Sequence, residues 1–217
     1  MRIRNMTKWL GIAVLSAGIS LPAMADDQKK DEKKASGQPS DAEMMAMMME
    51  MAKPGENHKL LAHSVGNWSL KVKMWNNGDT NTAPIESTAS ATVKEIMGGK
   101  FFTSDVNGKM QMPGADGKMT DMEFKGMGVD GYDNAKKKFV STWVDNMGTA
   151  ILMSEGDYDA ATKTFTFRAD VAYMPGMTVK VRQVVKIVDN DHHIFEWFED
   201  RGAGEIKTLQ IDYTRKK

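Results

Sequence analysis

The feature that most constrains this chain begins at Val65. From there to the end the sequence breaks into short segments that alternate apolar and polar residues, and no helix-length periodic segment interrupts them. The segments run over 67–75, 85–97, 100–107, 120–131, 138–145, 148–158, 164–172, 177–188, 192–200 and 205–215. Turn chemistry separates them: Asn76-Asn77-Gly78-Asp79, Gly98-Gly99, Pro113 to Gly117, Asp133 to Lys136, Asp159 to Thr162, Pro175-Gly176, Asp189 to Asp191 and Gly202-Ala203-Gly204. Trp68, Leu70, Val72 and Met74 share one face of the first segment, and Ser69, Lys71 and Lys73 share the other. Phe165, Phe167, Ala169 and Val171 do the same in a later one, as do Val179, Val181, Val185 and Ile187, then Leu209, Ile211 and Tyr213. A flat sheet of that many strands would leave two open edges and one bare face. Closure removes both. The expectation is a mostly β chain: a closed antiparallel up-and-down β-barrel of about ten strands over 65–217, with short helices before it.

The N-terminus reads differently. Arg2, Arg4 and Lys8 precede a mostly apolar run from Trp9 to Leu21, which is too short for a membrane-spanning helix, and Ala23-Met24-Ala25 has the small-x-small form of a cleavage site. Residues 1–25 are therefore expected to be a signal peptide, and the protein to be exported to the periplasm or secreted. Removing them takes three of the 29 basic residues and none of the 29 acidic ones, leaving a formal charge of −3. Such a balance offers no basic surface for nucleic acid. No further run of spanning length follows, so no membrane span is expected after cleavage. The chain has no cysteine, so the core must stabilise the fold without disulfides.

Asp26 to Ser40 contains no aromatic or branched aliphatic residue and reads as a disordered linker. Residues 41–64 follow as a helical region. Ser40 and Glu43 have capping-box spacing, and six methionines fall between Met44 and Met51. Met44, Met47, Met48 and Met51 form a stripe, which Met45 and Met49 widen. That stripe reads first as a face packed on the domain. An adaptable greasy surface and a soft thioether site for Cu(I), with Met44, Met48 and Met51 as candidates, stand beside this reading. After Pro54-Gly55, residues 56–64 read as a second short helix with Leu60 and Leu61 inward and His58 and His63 on the surface.

Gly66-Asn67-Trp68 at the first strand and Arg215 at the last resemble the calycin group: lipocalins, fatty-acid-binding proteins and nitrobindin-like proteins. The resemblance implies that Trp68 closes one barrel end with Arg215 across its indole. A closer resemblance covers residues 54 to 217. Pro54 to Leu61, Val65 to Trp68, Gly126 to Asp133, Phe139 to Trp143, Ser154-Glu155-Gly156 and Tyr213 to Lys217 are similar, in the same order, to the exported bacterial family of domain of unknown function 1579. That family implies a fold and no activity.

No motif specifies a reaction. Asp191-His192-His193 is the most suggestive cluster, but neighbouring strand residues face opposite sides, so one histidine at most enters the barrel. A nitrobindin-like resemblance would make His193 a haem ligand. Glu155, Asp157, Glu196 and Glu199 read as outward or rim carboxylates. Ser141 and Ser154 lack a nucleophile-elbow context, and Gly126-x-Gly128 lies in a strand with no helix to cradle a phosphate. No catalytic residue and no cofactor is indicated, and an oligomeric state is not encoded in any pattern.

The leading expectation is a binding module for a small hydrophobic ligand, its barrel lined by Trp68, Leu70, Val72, Phe139, Trp143, Phe165, Phe167, Phe195 and Trp197, with loops and the methionine helix at its mouth. A structural or envelope-stress protein with a self-packed interior is the alternative, and Cu(I) or haem handling the third.

Overall fold

A computed structural model describes residues 38–75, 78–113 and 118–217. The expected signal peptide and the linker up to residue 37 lie outside the described residues. Among the described residues two helices, α1 (Asp41–Met51) and α2 (Glu56–Ala62), precede ten strands. These are β1 (Gly66–Met74), β2 (Ile85–Ile96), β3 (Phe101–Pro113), β4 (Met119–Asp133), β5 (Lys138–Asp145), β6 (Leu152–Asp159), β7 (Thr164–Met174), β8 (Met177–Ile187), β9 (His192–Asp200) and β10 (Glu205–Arg215). Each strand pairs antiparallel with its neighbours in sequence, and β10 returns to β1, so the sheet is a closed barrel. The seam sets Trp68 opposite Arg215, Leu70 opposite Tyr213 and Val72 opposite Ile211.

Two segments differ from the alternation reading. β3 does not stop before Gly108 but continues to Pro113 against β4, with Met110 opposite Met122. Gly108 is no breaker; a side chain there would collide with Ala89 on β2, so glycine lets the two strands approach. β6 starts at Leu152 rather than at residue 148. The intervening loop is held by Asn146, whose amide accepts from Lys125 N and donates to Glu123 O.

The core sits at one end. Trp68, Leu70, Ala91, Val93, Phe102, Phe139, Phe165 and Leu61 of α2 pack into one buried cluster, and Trp68 is only 1% exposed. α2 lies across this end as a lid. His58, expected on the surface, is instead buried: its Nδ1 accepts the Gly55 N–H at 3.0 Å, and its ring meets Tyr132 edge-on. The spacing of three from Gly55 makes the imidazole the N-terminal cap of α2.

α1 is built by its cap and not by packing. Ser40 Oγ accepts from Glu43 N, and Ser40 N donates to the Glu43 carboxylate. None of its residues is buried, and its six methionines are 44–65% exposed, so the expected packing face is corrected. Its end is tied by Asn134 Nδ2, which donates to the carbonyls of Met51 and Lys53. Asn134 lies in the β4–β5 turn, at the Trp68 end. The methionine helix is therefore not at the opposite end, where a mouth was expected.

Trp68 and Arg215 fasten the closed end. The guanidinium carbon lies 4.1 Å from the indole centroid. Its nitrogens donate to the carbonyls of Val65, His63 and Asn190 at 2.6, 2.9 and 2.9 Å. Trp68 Nε1 donates to Ser64 O at 2.8 Å. Gly66 has φ of 137°, and a Cβ there would overlap the Arg215 guanidinium. The Gly-x-Trp signature thus has a steric cause: glycine makes room for the cation that covers the tryptophan.

Arg215→Ala is expected to destabilise the fold by roughly 2–4 kcal/mol, because it removes the cation–π contact and leaves three carbonyls without a donor. Urea unfolding checks this, with Arg215→Lys intermediate because an ammonium cannot fork. A loss below about 0.5 kcal/mol, the range of an ordinary surface change, would contradict the account.

Candidate functional site

In a closed wall, an inward side chain meets solvent only through the lumen. At the Trp68 end the inward residues are buried. Further along, Val179, Val181, Gln183 and Glu199 of the inner face are buried too, but Val72, Phe124, Trp143, Leu152, Phe195, Trp197 and Ile211 face inward and keep accessible surface. The interior is therefore a packed floor at the Trp68 end and, beyond it, a wall whose side chains are partly buried and partly accessible. Of the residues expected to line the barrel, Trp68, Leu70, Phe139, Phe165 and Phe167 form the floor and its core, whereas Val72, Trp143, Phe195 and Trp197 line the accessible part. Trp143 is seated by Gly126 of β4, where a Cβ would strike its indole, whereas a Cβ at Gly128 would first meet the Ser104 hydroxyl and then crowd the same ring. That steric role accounts for the Gly-x-Gly pair.

The lumen wall also carries polar groups that alternation did not bring out. Gln183 faces inward between Val181 and Val185, beside Phe167 of β7 and Trp197 of β9. It is 6% exposed, and its Nε2 has no hydrogen-bond partner among the described residues. Asp130 sits between Phe102 and Ser141 on the inner face of β4. Burial pushes its carboxyl up to about 6, against the pull of a hydrogen bond from Ser141. Tyr213 is also inward, and burial, then the Asp130 charge, raises its phenol. Ser141 and Ser154 are paired across β5 and β6, and the Ser154 hydroxyl lies 3.5 Å from Ser141 O.

His193 is the inward member of the histidine pair. It stacks on Tyr213 at 4.2 Å and meets Trp68 edge-on at 4.4 Å. Burial, then the Arg215 charge, lowers its pKa to about 4, so it is neutral in ordinary buffers. His192 points outward to Asp189. His193 is held among these rings in the floor and shares no site with Met44, Met48 and Met51, which stand exposed on α1. Among the described residues no group of three or more His, Asp and Glu side chains is arranged to hold a metal ion.

Glu199 corrects the rim reading. It faces inward at the far end, is 5% exposed, and accepts five hydrogen bonds: from Tyr173, Trp197 and Thr208 at Oε1, and two from Arg201 at Oε2. Burial alone would raise its pKa, but the Arg201, Tyr173 and Thr208 donors outweigh it and hold the carboxyl below its ordinary value. Thr208 reaches it because the β9–β10 pairing slips between Lys207 and Leu209. Glu155, Asp157 and Glu196 do face outward and pair with Lys136, Lys138 and Lys207. The wall's two open troughs are also outside. One is lined by Ser69, Lys71, Glu86, Thr88 and Asp212, and the other by Arg168, Asp170, Lys180, Arg182 and Glu205. Both are lined mostly by charged and polar residues of the outer wall, with Leu70 and Ser87 at the base of the first and Ala169 and Val181 at the base of the second.

No curated protein matches this chain. Among solved structures it is similar to the S-type phycobiliprotein lyase CPES from Guillardia theta, at 10% identity and a TM-score of 0.47, over 78% of this chain and 97% of that one. The family model described as "Protein of unknown function (DUF1579)" matches residues 53–215, which spans α2 and the whole barrel. The chain belongs to the DUF1579 family.

Proposed function

We propose that this protein is a binding module that holds one small, mostly apolar molecule in the barrel lumen. The observation that carries this reading is Gln183. A buried amide donor with no partner costs on the order of 1–3 kcal/mol, and a ligand acceptor would offset that cost. The accessible aromatic wall of Trp143, Phe195 and Trp197 beside it supports the reading, since such sites are apolar with a few placed polar groups. The accessible surface kept by inward Val72, Phe124 and Leu152 also favours it over the self-packed alternative. Export remains our proposal too, supported by the charged start, the short apolar run and the Ala23-Met24-Ala25 site.

Nile red, a neutral hydrophobic dye, is expected to bind saturably with one site per chain and to quench tryptophan emission. A linear, non-saturating response would overturn the reading. Gln183→Leu is expected to raise the stability of the unliganded protein by about 1 kcal/mol, because it removes the unpaired donor. A loss of stability in urea unfolding would mean that the amide is already paired. Asp130 adds a pH signature. The folded chain holds its proton to about pH 6, whereas the unfolded chain releases it near the ordinary value of 3.8. Between these pH values the folded state binds more protons, so stability falls as pH rises, by about 3 kcal/mol, and is flat above. Asp130→Asn is expected to remove this fall; an unchanged slope between pH 4 and 6 would contradict it.

A further inference from the structure

The lumen wall has a charge pattern as well as an apolar surface. Glu199 is neutralised by the two Arg201 hydrogen bonds. Arg215 is taken up beneath the floor by three carbonyls and by Asp191 at 3.3 Å. His193 is a neutral ring stacked in the floor. Asp145, at the far edge of the inner face of β5, is met by the Trp143 indole N–H at 2.9 Å and not by a cation. Asp130 has the Ser141 hydroxyl and the nearby Tyr213 phenol, and no ion pair with a lysine or arginine is formed by it among the described residues. The acids on this wall therefore exceed the cations that face them.

We infer that the lumen selects ligands by charge, and takes an apolar molecule carrying an amine or another cationic hydrogen-bond donor, seated against Asp130. This rests on the binding reading above and names the class of molecule within it. A buried carboxylate without a cation is expensive, and a ligand ammonium supplies the missing partner. A ligand carboxylate would meet Asp130 as a like charge in a medium of low dielectric, where the repulsion is poorly screened. An alcohol of the same length meets neither benefit nor penalty. The Gln183 amide then serves an acceptor elsewhere on the same molecule. Fatty acids, the first class that an apolar barrel brings to mind, are disfavoured by this wall.

The test uses three molecules with one apolar body: decylamine, decanol and decanoate, each below its aggregation threshold and each displacing Nile red from the full chain. At about pH 8 the amine is cationic and the acid anionic. Decylamine is expected to displace the dye at a concentration roughly tenfold or more below decanoate, with decanol between them. In Asp130→Asn the gap should shrink to about threefold or less, as expected once the wall charge is gone, while decanol is unchanged, which shows that the variant is folded. Decanoate equal to or tighter than decylamine overturns the charge selection and leaves the binding reading standing. A preference retained in Asp130→Asn overturns the role of Asp130. Failure of Nile red and all three probes to bind overturns both.

Discussion

Everything in this barrel depends on how its first and last strands meet. Trp68 and Arg215 lie opposite each other across the β1–β10 seam, and the guanidinium covers the indole while holding three carbonyls of the segments around it. The contact does several jobs at once. It closes the sheet, ties down the β8–β9 turn through the Asn190 carbonyl, and anchors the turn after α2. It also concentrates the packed core at one end, because α2, Phe102, Phe139 and Phe165 gather around the same tryptophan. Val179, Val181 and Glu199 are packed toward the other end, and between the two groups several inward side chains keep accessible surface.

Much of this was legible in the sequence, for a physical reason. Strand faces repeat every two residues, so wherever the inward face is uniformly apolar the alternation marks it. Trp68, Leu70 and Val72, or Phe165 and Phe167, could be placed that way. Alternation carries no such mark where an inward face holds a polar residue. Gln183 interrupts the row Val179, Val181, Val185, Ile187, and that interruption was the available signal. Asp130 shares its face with Gly126, Gly128 and Tyr132, a set with no apolar run to reveal it. Glu199 continues the row His193, Phe195, Trp197, but its burial depends on Arg201 and Thr208, which only the loop and the slipped pairing bring near. Glycine misled in the opposite direction. Gly108 looked like a strand end, yet it marks a close approach of β2 and β3.

Local and global signals diverge most in α1. The capping box and the methionine run do make a helix, as the spacing requires. Periodicity was read as a buried stripe, but a stripe reports amphipathic shape and not the presence of a neighbour. The helix is held by its backbone end, at Asn134, and its thioethers face solvent. The polar groups of the lumen show the converse: they lie inside, where their cost is sustained by the surrounding wall. Such departures from the apolar-in rule are where function is to be sought.

The most direct test of the account is native mass spectrometry of the protein purified from its own host without detergent. The account predicts a population carrying one small molecule per chain, released on activation, basic or neutral in character, and reduced in Gln183→Leu. The chain mass in the same spectrum reports whether residues 1–25 have been removed. A spectrum of bare protein only, from wild-type material that also fails to bind added Nile red, would contradict the claim that the lumen is a binding site.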